Sequence, residues 1–344
     1  MKLFIPKDYR PTLVPETMEE AIKMLKVTFI QELSTRLNLR RVTAPLFVLS
    51  GTGINDDLNG TEHAVSFNVT DMGGKKAEVV HSLAKWKRMK LSTSRIPVGY
   101  GLYTDMNAIR ADEELSNIHS LYVDQWDWEQ TISKEQRTLA FLQSAVCKIY
   151  DSLKETEKQV YQKFPHITPC LPEQITFIHS EDLLKEYPTL SVKEREKAAA
   201  EKYGAIFIIG IGDKLSNGEK HDGRAPDYDD WTTVSEGAYK GLNGDIILWN
   251  PILENAFEIS SMGIRVDKAA LLRQLEQEGC MERTELEFHK ALLEDRLPLS
   301  IGGGIGQSRL CMFFLRCAHI GEVQSSLWSD EMIEKCLINN IKLK

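Results

Sequence analysis

Long apolar runs are missing from this sequence of 344 residues, and with them any obvious membrane span. Met1-Lys2-Leu3-Phe4-Ile5-Pro6 offers only a short apolar stretch before charge returns, too little for a signal h-region. A cytoplasmic location with no membrane partner is therefore expected. Positive charge is also short: 42 Lys and Arg stand against 50 Asp and Glu, for a net charge of -8. Binding to nucleic acid through its phosphates needs a basic face, so no nucleic-acid partner is expected. The six cysteines, at 147, 170, 280, 311, 317 and 336, lack both CxxC spacing and the density of a disulfide scaffold. Reduced, mostly buried thiols follow. The sequons Asn59-Gly60-Thr61 and Asn68-Val69-Thr70 carry no weight in a protein expected inside the cell. No GxxxxGK[ST] segment occurs, which removes a P-loop. Repeats, low-complexity linkers and composition breaks are absent too, so residues 1–344 read as one domain, with 42% hydrophobic residues to fill its core.

What is present starts with a helical pattern. Thr17 and Glu20 have capping-box spacing, and Met18, Ala21, Ile22, Leu25, Phe29, Leu33 and Leu37 recur on one face, predicting a helix to about Leu39. A strand is expected over Arg41 to Val48, confined by Pro45 to an edge or interface. Together, residues 17–48 form a candidate dimerisation element. Alternation predicts a half-exposed strand at Val65-Phe67-Val69, a turn at 71–74 and a further strand near Val79-Val80. In Leu121 to Trp128, Val123, Gln125 and Asp127 share one face, which could line a pocket. A helix follows from Ser133 to about Phe164, on the spacing of Leu139, Leu142, Val146, Ile149 and Leu153. Ile175–Ile178 and Ala205–Gly210 read as central strands, separated by a helix capped by Ser191 and Glu194. Asp245–Asn250 and Ala256–Ser260 read as an antiparallel pair, and two charged helices fill about 268–294.

Three segments could carry chemistry. In Ser300-Ile301-Gly302-Gly303-Gly304-Ile305-Gly306-Gln307-Ser308-Arg309, alternating glycines admit a close backbone or a flat ligand, and Arg309 sits where strand passes to helix. A Rossmann fingerprint is rejected, because Arg309 takes the third glycine's place and no βαβ unit opens there. Taken alone, a close-packed strand with a solvated arginine explains the segment equally well. Gly223-Arg224-Ala225-Pro226-Asp227-Tyr228-Asp229-Asp230-Trp231 places an arginine, suited to a phosphoryl group, ahead of several carboxylates. A solvated turn is the plain alternative. Asp245 and Glu258, on the paired strands, offer hard oxygens to Mg²⁺, although isolated strand acids are more often at the surface. Lys85, Lys87, Arg88 and Lys90 read without further context as a basic helix face.

These segments acquire meaning together. Gly302 to Leu310 resembles motif 3 of class II aminoacyl-tRNA synthetases, Arg224 the motif 2 arginine, and the helix-strand ending at Pro45 motif 1. The runs His81–Arg88, Gly101–Thr104, Tyr122–Glu129, Arg224–Trp231 and Ser260–Arg265 resemble the ammonia-dependent asparagine synthetase family, from about residue 20 to 328. The resemblance implies an α+β fold, with a large, mostly antiparallel sheet flanked by helices, and a homodimer. It implies that ATP and Mg²⁺ activate L-aspartate as β-aspartyl-AMP, releasing pyrophosphate, and that ammonia displaces AMP to give L-asparagine.

It also assigns residues. Arg224 would hold the α-phosphate, Asp245 and Glu258 the metal, and Arg309 the adenine ring, with Ser261, Gly304 and Gly306 beside the nucleotide and Asp229 near the reacting groups. Aspartate would meet Asp56, Lys87, Arg110, Gln125, Asp127 and Arg265. Asp57 adjoins Asp56, so that choice rests on register. None of the cysteines has a recognisable histidine partner for releasing ammonia from glutamine, and Lys2 follows Met1, so ammonia is expected from solution. An aspartyl- or asparaginyl-tRNA synthetase relative would need an anticodon-binding domain, for which the residues before Thr17 are few. A non-catalytic nucleotide- or amino-acid-binding regulator would have less reason to keep both arginines and both metal carboxylates.

Overall fold

The computed structural model describes residues 3–56 and 62–344. Asp57 and the Asn59 sequon lie outside those residues. The strands in chain order are β1 (Leu39–Arg41), β2 (Phe47–Leu49), β3 (Ser66–Val69), β4 (Lys75–Val79), β5 (Gly101–Ile109), β6 (Tyr122–Thr131) and β7 (Thr176–His179). There follow β8 (Ala205–Ile209), β9 (Val234–Glu236), β10 (Tyr239–Lys240), β11 (Asn243–Asn250), β12 (Asn255–Ile264) and β13 (Ser300–Gly306). The helices are α1 (Pro15–Arg36), α2 (Ala84–Thr93), α3 (Leu139–Lys163), α4 (Ser180–Glu186), α5 (Val192–Tyr203), α6 (Lys268–Gln277), α7 (Glu287–Leu293), α8 (Gln307–Phe314) and α9 (Asp330–Ile338).

Eight strands form one sheet in the order β1-β5-β6-β13-β12-β11-β8-β7. Its interior pairings are antiparallel, and only the outermost pairs, β1 with β5 and β7 with β8, run parallel. This is the α+β architecture expected. One face is apolar: Trp126, Trp128, Ile246, Phe257, Ile301 and Ile305 pack with Phe29 and Leu33 of α1, Val146 and Ile149 of α3, and Phe313 of α8. Burying each such side chain contributes roughly 1.5–3 kcal/mol. On the opposite face α5 covers β8 and β11 through Ala199, Ala200, Ile206, Ile208 and Ile247. At the other end Leu83, at the start of α2, joins Met106 and Ala108 of β5 in a second apolar patch. The cavity opens between these two covers, on β6, β13 and β12.

Several local expectations need correction. Helix α1 starts at Pro15 behind Val14, with no side-chain cap, so Thr17 and Glu20 form no capping box; proline at the first helical position already supplies a suitable φ. The helix stops at Arg36, and Asn38 takes a left-handed φ of 53°. Instead of one strand over 41–48, the chain gives β1 to the large sheet and β2 to a three-stranded sheet, β2-β4-β3, with Pro45 between them. Helix α3 begins at Leu139 under a Thr138 cap, six residues later than Ser133, because 133–138 are taken up by turns. Strand β7 is an edge strand and only partly buried, not a central one. Of the cysteines, only 311, 317 and 336 are buried, and all six are free. The Ser191–Glu194 capping box, the β11–β12 pair and the charged helices at 268–293 form as expected.

Candidate active site

Alternation along β6 divides its side chains cleanly. Trp126 and Trp128 enter the core, while Gln125, Asp127 and Glu129 point to the other side. Strand β13 runs beside it with Gly302 opposite Glu129, Gly304 opposite Asp127 and Gly306 opposite Gln125. The glycines are required by space. A Cβ on Gly304 would stand 2.5 Å from Gln125 Oε1 and 2.8 Å from Asp127 Oδ1, and one on Gly302 would overlap the Glu129 carboxylate. Ile301 and Ile305, with the alternate parity, fill the core. The glycine-rich segment is thus a packed strand: Gly302 and Gly304 make room on the cavity side, while Gly303, of the isoleucines' parity, lies against Met262.

The cavity has a volume of about 490 Å³. Asp56, Lys87, Arg110, Gln125, Asp127, Arg224, Asp229, Glu258, Ser261, Arg265, Gly304, Gly306 and Arg309 all line it. Asp245 does not; it lies behind Arg224, whose guanidinium forms an ion pair with it. Lys87 is 1% exposed, not part of a solvated basic face: its Nζ lies 3.1 Å from Asp127 Oδ2 and donates to the Gly303 carbonyl at 2.9 Å. Burial lowers the pKa of this ammonium despite the pull of Asp127. Asp127 Oδ1 has no hydrogen-bond donor and remains available to a ligand.

The 224–231 loop is equally far from a solvated turn. Its carboxylates Asp227, Asp229 and Asp230 are buried, each with cations. Asp229 takes Arg265 and, at 3.4 Å, Arg224 Nε. Arg137 reaches Asp230 at 2.6 Å. Asp227 meets Lys85 at 3.1 Å, Arg283 at 3.2 Å and His289 at 3.1 Å. Although burial alone would raise the Asp227 carboxyl, Lys85 and then His289 hold it well below the usual range. Arg309 donates to the Glu258 backbone carbonyl at 3.2 Å and lies 3.8 Å from its carboxylate.

Pattern reading passed over the residues that hold these groups. Glu129, fully buried, accepts Arg265 Nε at 3.0 Å and Nη2 at 2.8 Å, as well as the Ser300 hydroxyl at 2.7 Å. Burial would raise its pKa, yet Arg265 holds it low. Asp124 accepts the Ser308 backbone N–H and hydroxyl, fixing the first turn of α8 and with it Arg309. Its neighbours in sequence gave no sign of this. Buried carboxylates on a strand are the only available signal, and burial has to be known first.

Two carboxylates, Asp245 and Glu258, are the candidate metal ligands. Among the described residues no group of three or more His, Cys, Asp or Glu side chains converges to hold an ion. That suits Mg²⁺, which takes one or two carboxylates and completes its octahedron with phosphate oxygens and water. Burial raises the pKa of Asp245 to about 7; Arg224 opposes the rise and the Glu258 charge adds to it. A divalent cation held by these carboxylates would relieve that repulsion.

The family model described as aspartate-ammonia ligase matches residues 16–340. This chain belongs to the aspartate–ammonia ligase family. It is 61% identical over 330 residues to the aspartate–ammonia ligase of Parabacteroides distasonis, covering 96% of both chains. To that of Bacteroides fragilis it is 60% identical over 341 residues, 99% of each. Among solved structures, asparaginyl-tRNA synthetase of Entamoeba histolytica in complex with asparaginyl-adenylate superposes with a TM-score of 0.64 at 14% identity, covering 90% of this chain and 66% of that one. The Pyrococcus horikoshii asparaginyl-tRNA synthetase gives 0.63 at 15%, covering 90% and 68%. The fold of this family member is therefore that of the class II synthetases. No helix among its described residues is long and apolar enough to cross a membrane.

Replacing Glu129 with alanine strands Arg265 beside a single remaining carboxylate. Unfolding free energy should fall by about 3–5 kcal/mol, the usual cost of breaking a buried pair. Urea unfolding measures it, and an unchanged midpoint would contradict the buried pairing of Arg265 with Glu129.

Proposed function

We propose that this chain converts L-aspartate and ammonia to L-asparagine with ATP, through β-aspartyl-AMP. The observation that carries this reading is one cavity lined by two chemically different sets of side chains. Its wall carries Arg224, Arg309 and Glu258 as one set of groups and Lys87, Asp127, Gln125 and Asp56 as another. The first set suits a nucleotide and the second a zwitterion.

Around the nucleotide, Arg309 stacks on adenine, which its planar guanidinium can do and a lysine cannot. Ser261, Gly304 and Gly306 border the nucleotide. Asp245 and Glu258 would hold Mg²⁺, which supplies charge neutralisation at the phosphates. Arg224 then exchanges its pairing with Asp245 for the α-phosphate, where it stabilises charge developing in the displacement. Asp229 steadies Arg224 and Arg265 together. Around the aspartate, Asp127 and Asp56 receive the substrate ammonium, while Lys87, Arg110 and Arg265 provide positive charge for its carboxylates. Gln125 offers a neutral amide beside them. The β-carboxylate attacks the α-phosphorus, pyrophosphate leaves, and ammonia later displaces AMP.

The direct test is incubation with ATP, Mg²⁺, aspartate and ammonium. AMP, pyrophosphate and asparagine are expected; ADP would point to an acyl phosphate instead. Alanine at Arg224 or Arg309 should lower kcat/KM for ATP by at least about 100-fold with unchanged circular dichroism, and full activity in both would remove their roles. With Asp245 pushed up to about 7, a proton competes with the metal. The Mg²⁺ concentration for half-maximal activity should then rise by up to about tenfold for each pH unit below that value. A flat response would separate Asp245 from the metal.

Helix α1 and strands β1 and β2 are proposed as the homodimer contact, because Leu46 and Phe47 are half exposed there and Phe47 stands edge-on to Phe67 at 5.2 Å. Phe47→Glu should shift the sedimenting species from dimer to monomer. A monomeric parent would remove the proposal.

A further inference from the structure

His81 lies between β4 and α2 and is 1% exposed. Its backbone N–H donates to Asn55 Oδ1 at 2.9 Å, and its ring Nδ1 lies 3.1 Å from the Asp56 backbone carbonyl. A carbonyl oxygen only accepts, so Nδ1 must carry the hydrogen. In the neutral ring Nε2 is then a bare lone pair. That nitrogen is buried and has no partner among the described residues, yet His81 lines the cavity with Asp56, Lys87, Gln125 and Asp127. A buried acceptor left open in the cavity wall, as Asp127 Oδ1 also is, is a position kept for a ligand.

We infer that His81 Nε2 binds the attacking ammonia and takes its surplus proton. This rests on the adenylate reading above. Ammonia has no carboxylate or phosphate by which to be held. It offers N–H donors and one lone pair, and the lone pair must face the carbonyl carbon. A carboxylate acceptor would favour ammonium, which has no lone pair to give. An uncharged imidazole nitrogen accepts an N–H from ammonia and can still receive a proton. Lys87, committed to Asp127 and the Gly303 carbonyl, cannot serve in this way.

In the step itself the nitrogen lone pair forms a C–N bond to the β-carbonyl carbon of β-aspartyl-AMP. The bond from that carbon to the phosphate oxygen breaks, and its electron pair leaves with AMP. The surplus proton on nitrogen passes to Nε2, leaving asparagine, AMP and an imidazolium that returns its proton to water once the products depart.

The two half-reactions separate this role from a structural one. Aspartate-dependent exchange of labelled pyrophosphate into ATP needs no ammonia, whereas asparagine formation does. In His81→Asn the amide N–H can still meet the Asp56 carbonyl while Nε2 is gone. Exchange should remain within about twofold of the parent, and asparagine formation should fall by at least about 100-fold. His81→Gln reaches further but cannot take the proton, and it should show the same split if His81→Asn does not fold. Equal loss of both half-reactions in the folded variants, or no loss of either, overturns the inference. A parent chain without exchange would overturn the adenylate reading and this inference together; exchange with unaffected amination overturns only this one.

Discussion

Arg265 is the point through which the site is held together. It follows β12 directly, and its backbone N–H donates to the Ser300 carbonyl at the start of β13. Its guanidinium spans Glu129 of β6 and Asp229 of the arginine-bearing loop. Taking these charges out of water costs several kcal/mol per ion, a cost offset only when each is paired and hydrogen-bonded. The arrangement meets that demand by alternation. Glu129 meets Arg265, Arg265 meets Asp229, Asp229 meets Arg224 and Arg224 meets Asp245. Such a ladder contributes little net stability compared with an apolar core. What it fixes is position: Arg224 is held between Asp229 and Asp245 at the cavity wall.

The sheet makes this possible because its two faces do opposite work. With period-two alternation, the tryptophans of β6 and the isoleucines of β13 bury apolar area against α1, α3 and α8. The same strands give their other face to carboxylates and glycines. The absence of a Cβ at Gly302 leaves room for Glu129, and at Gly304 for Gln125 and Asp127. Stability is therefore supplied on one side of the backbone and chemistry on the other. That separation also accounts for a shared fold with asparaginyl-tRNA synthetases at 14% identity: the scaffold requires a pattern of small, apolar and charged positions, which many sequences satisfy.

How much of this was legible in the sequence depends on the range of the interaction. The alternation of Val123, Gln125 and Asp127, the turn joining β11 to β12 and the capping box at Ser191 are local, and each forms as read. The resemblance also assembled residues far apart in the chain, and the structure brings all but Asp245 to the cavity wall. Burial was not legible. Lys85, Lys87 and Arg88 look like a solvated stripe until it is known that Asp227, Asp127 and the Val266 carbonyl wait for them. Asp227 illustrates the same limit, since its partners come from positions 85, 283 and 289. The Thr17 and Glu20 box failed for a different reason: Pro15 already satisfied the helix start, and a local pattern cannot announce that a competitor has come first.

The 50–56 loop shows how far the supporting shell extends. Gly53, at φ 73°, packs so closely on Leu286 and His289 that a Cβ there would come within 2.8 Å of Leu286 and 3.3 Å of the His289 ring. His289 is also a partner of Asp227, which receives Lys85 from the same helix that carries Lys87. At the end of the loop, Asn55 and Asp56 take hold of His81 through a side-chain oxygen and a backbone carbonyl. One continuous set of contacts thus joins the arginine-bearing loop, α2, α7 and the segment presenting Asp56. Because each member has its partners in a different part of the chain, none can shift alone without leaving a buried polar group unsatisfied. That interdependence holds the segment presenting Asp56 against α2 and α7, and the cations within it let so acidic a chain keep carboxylates buried close together.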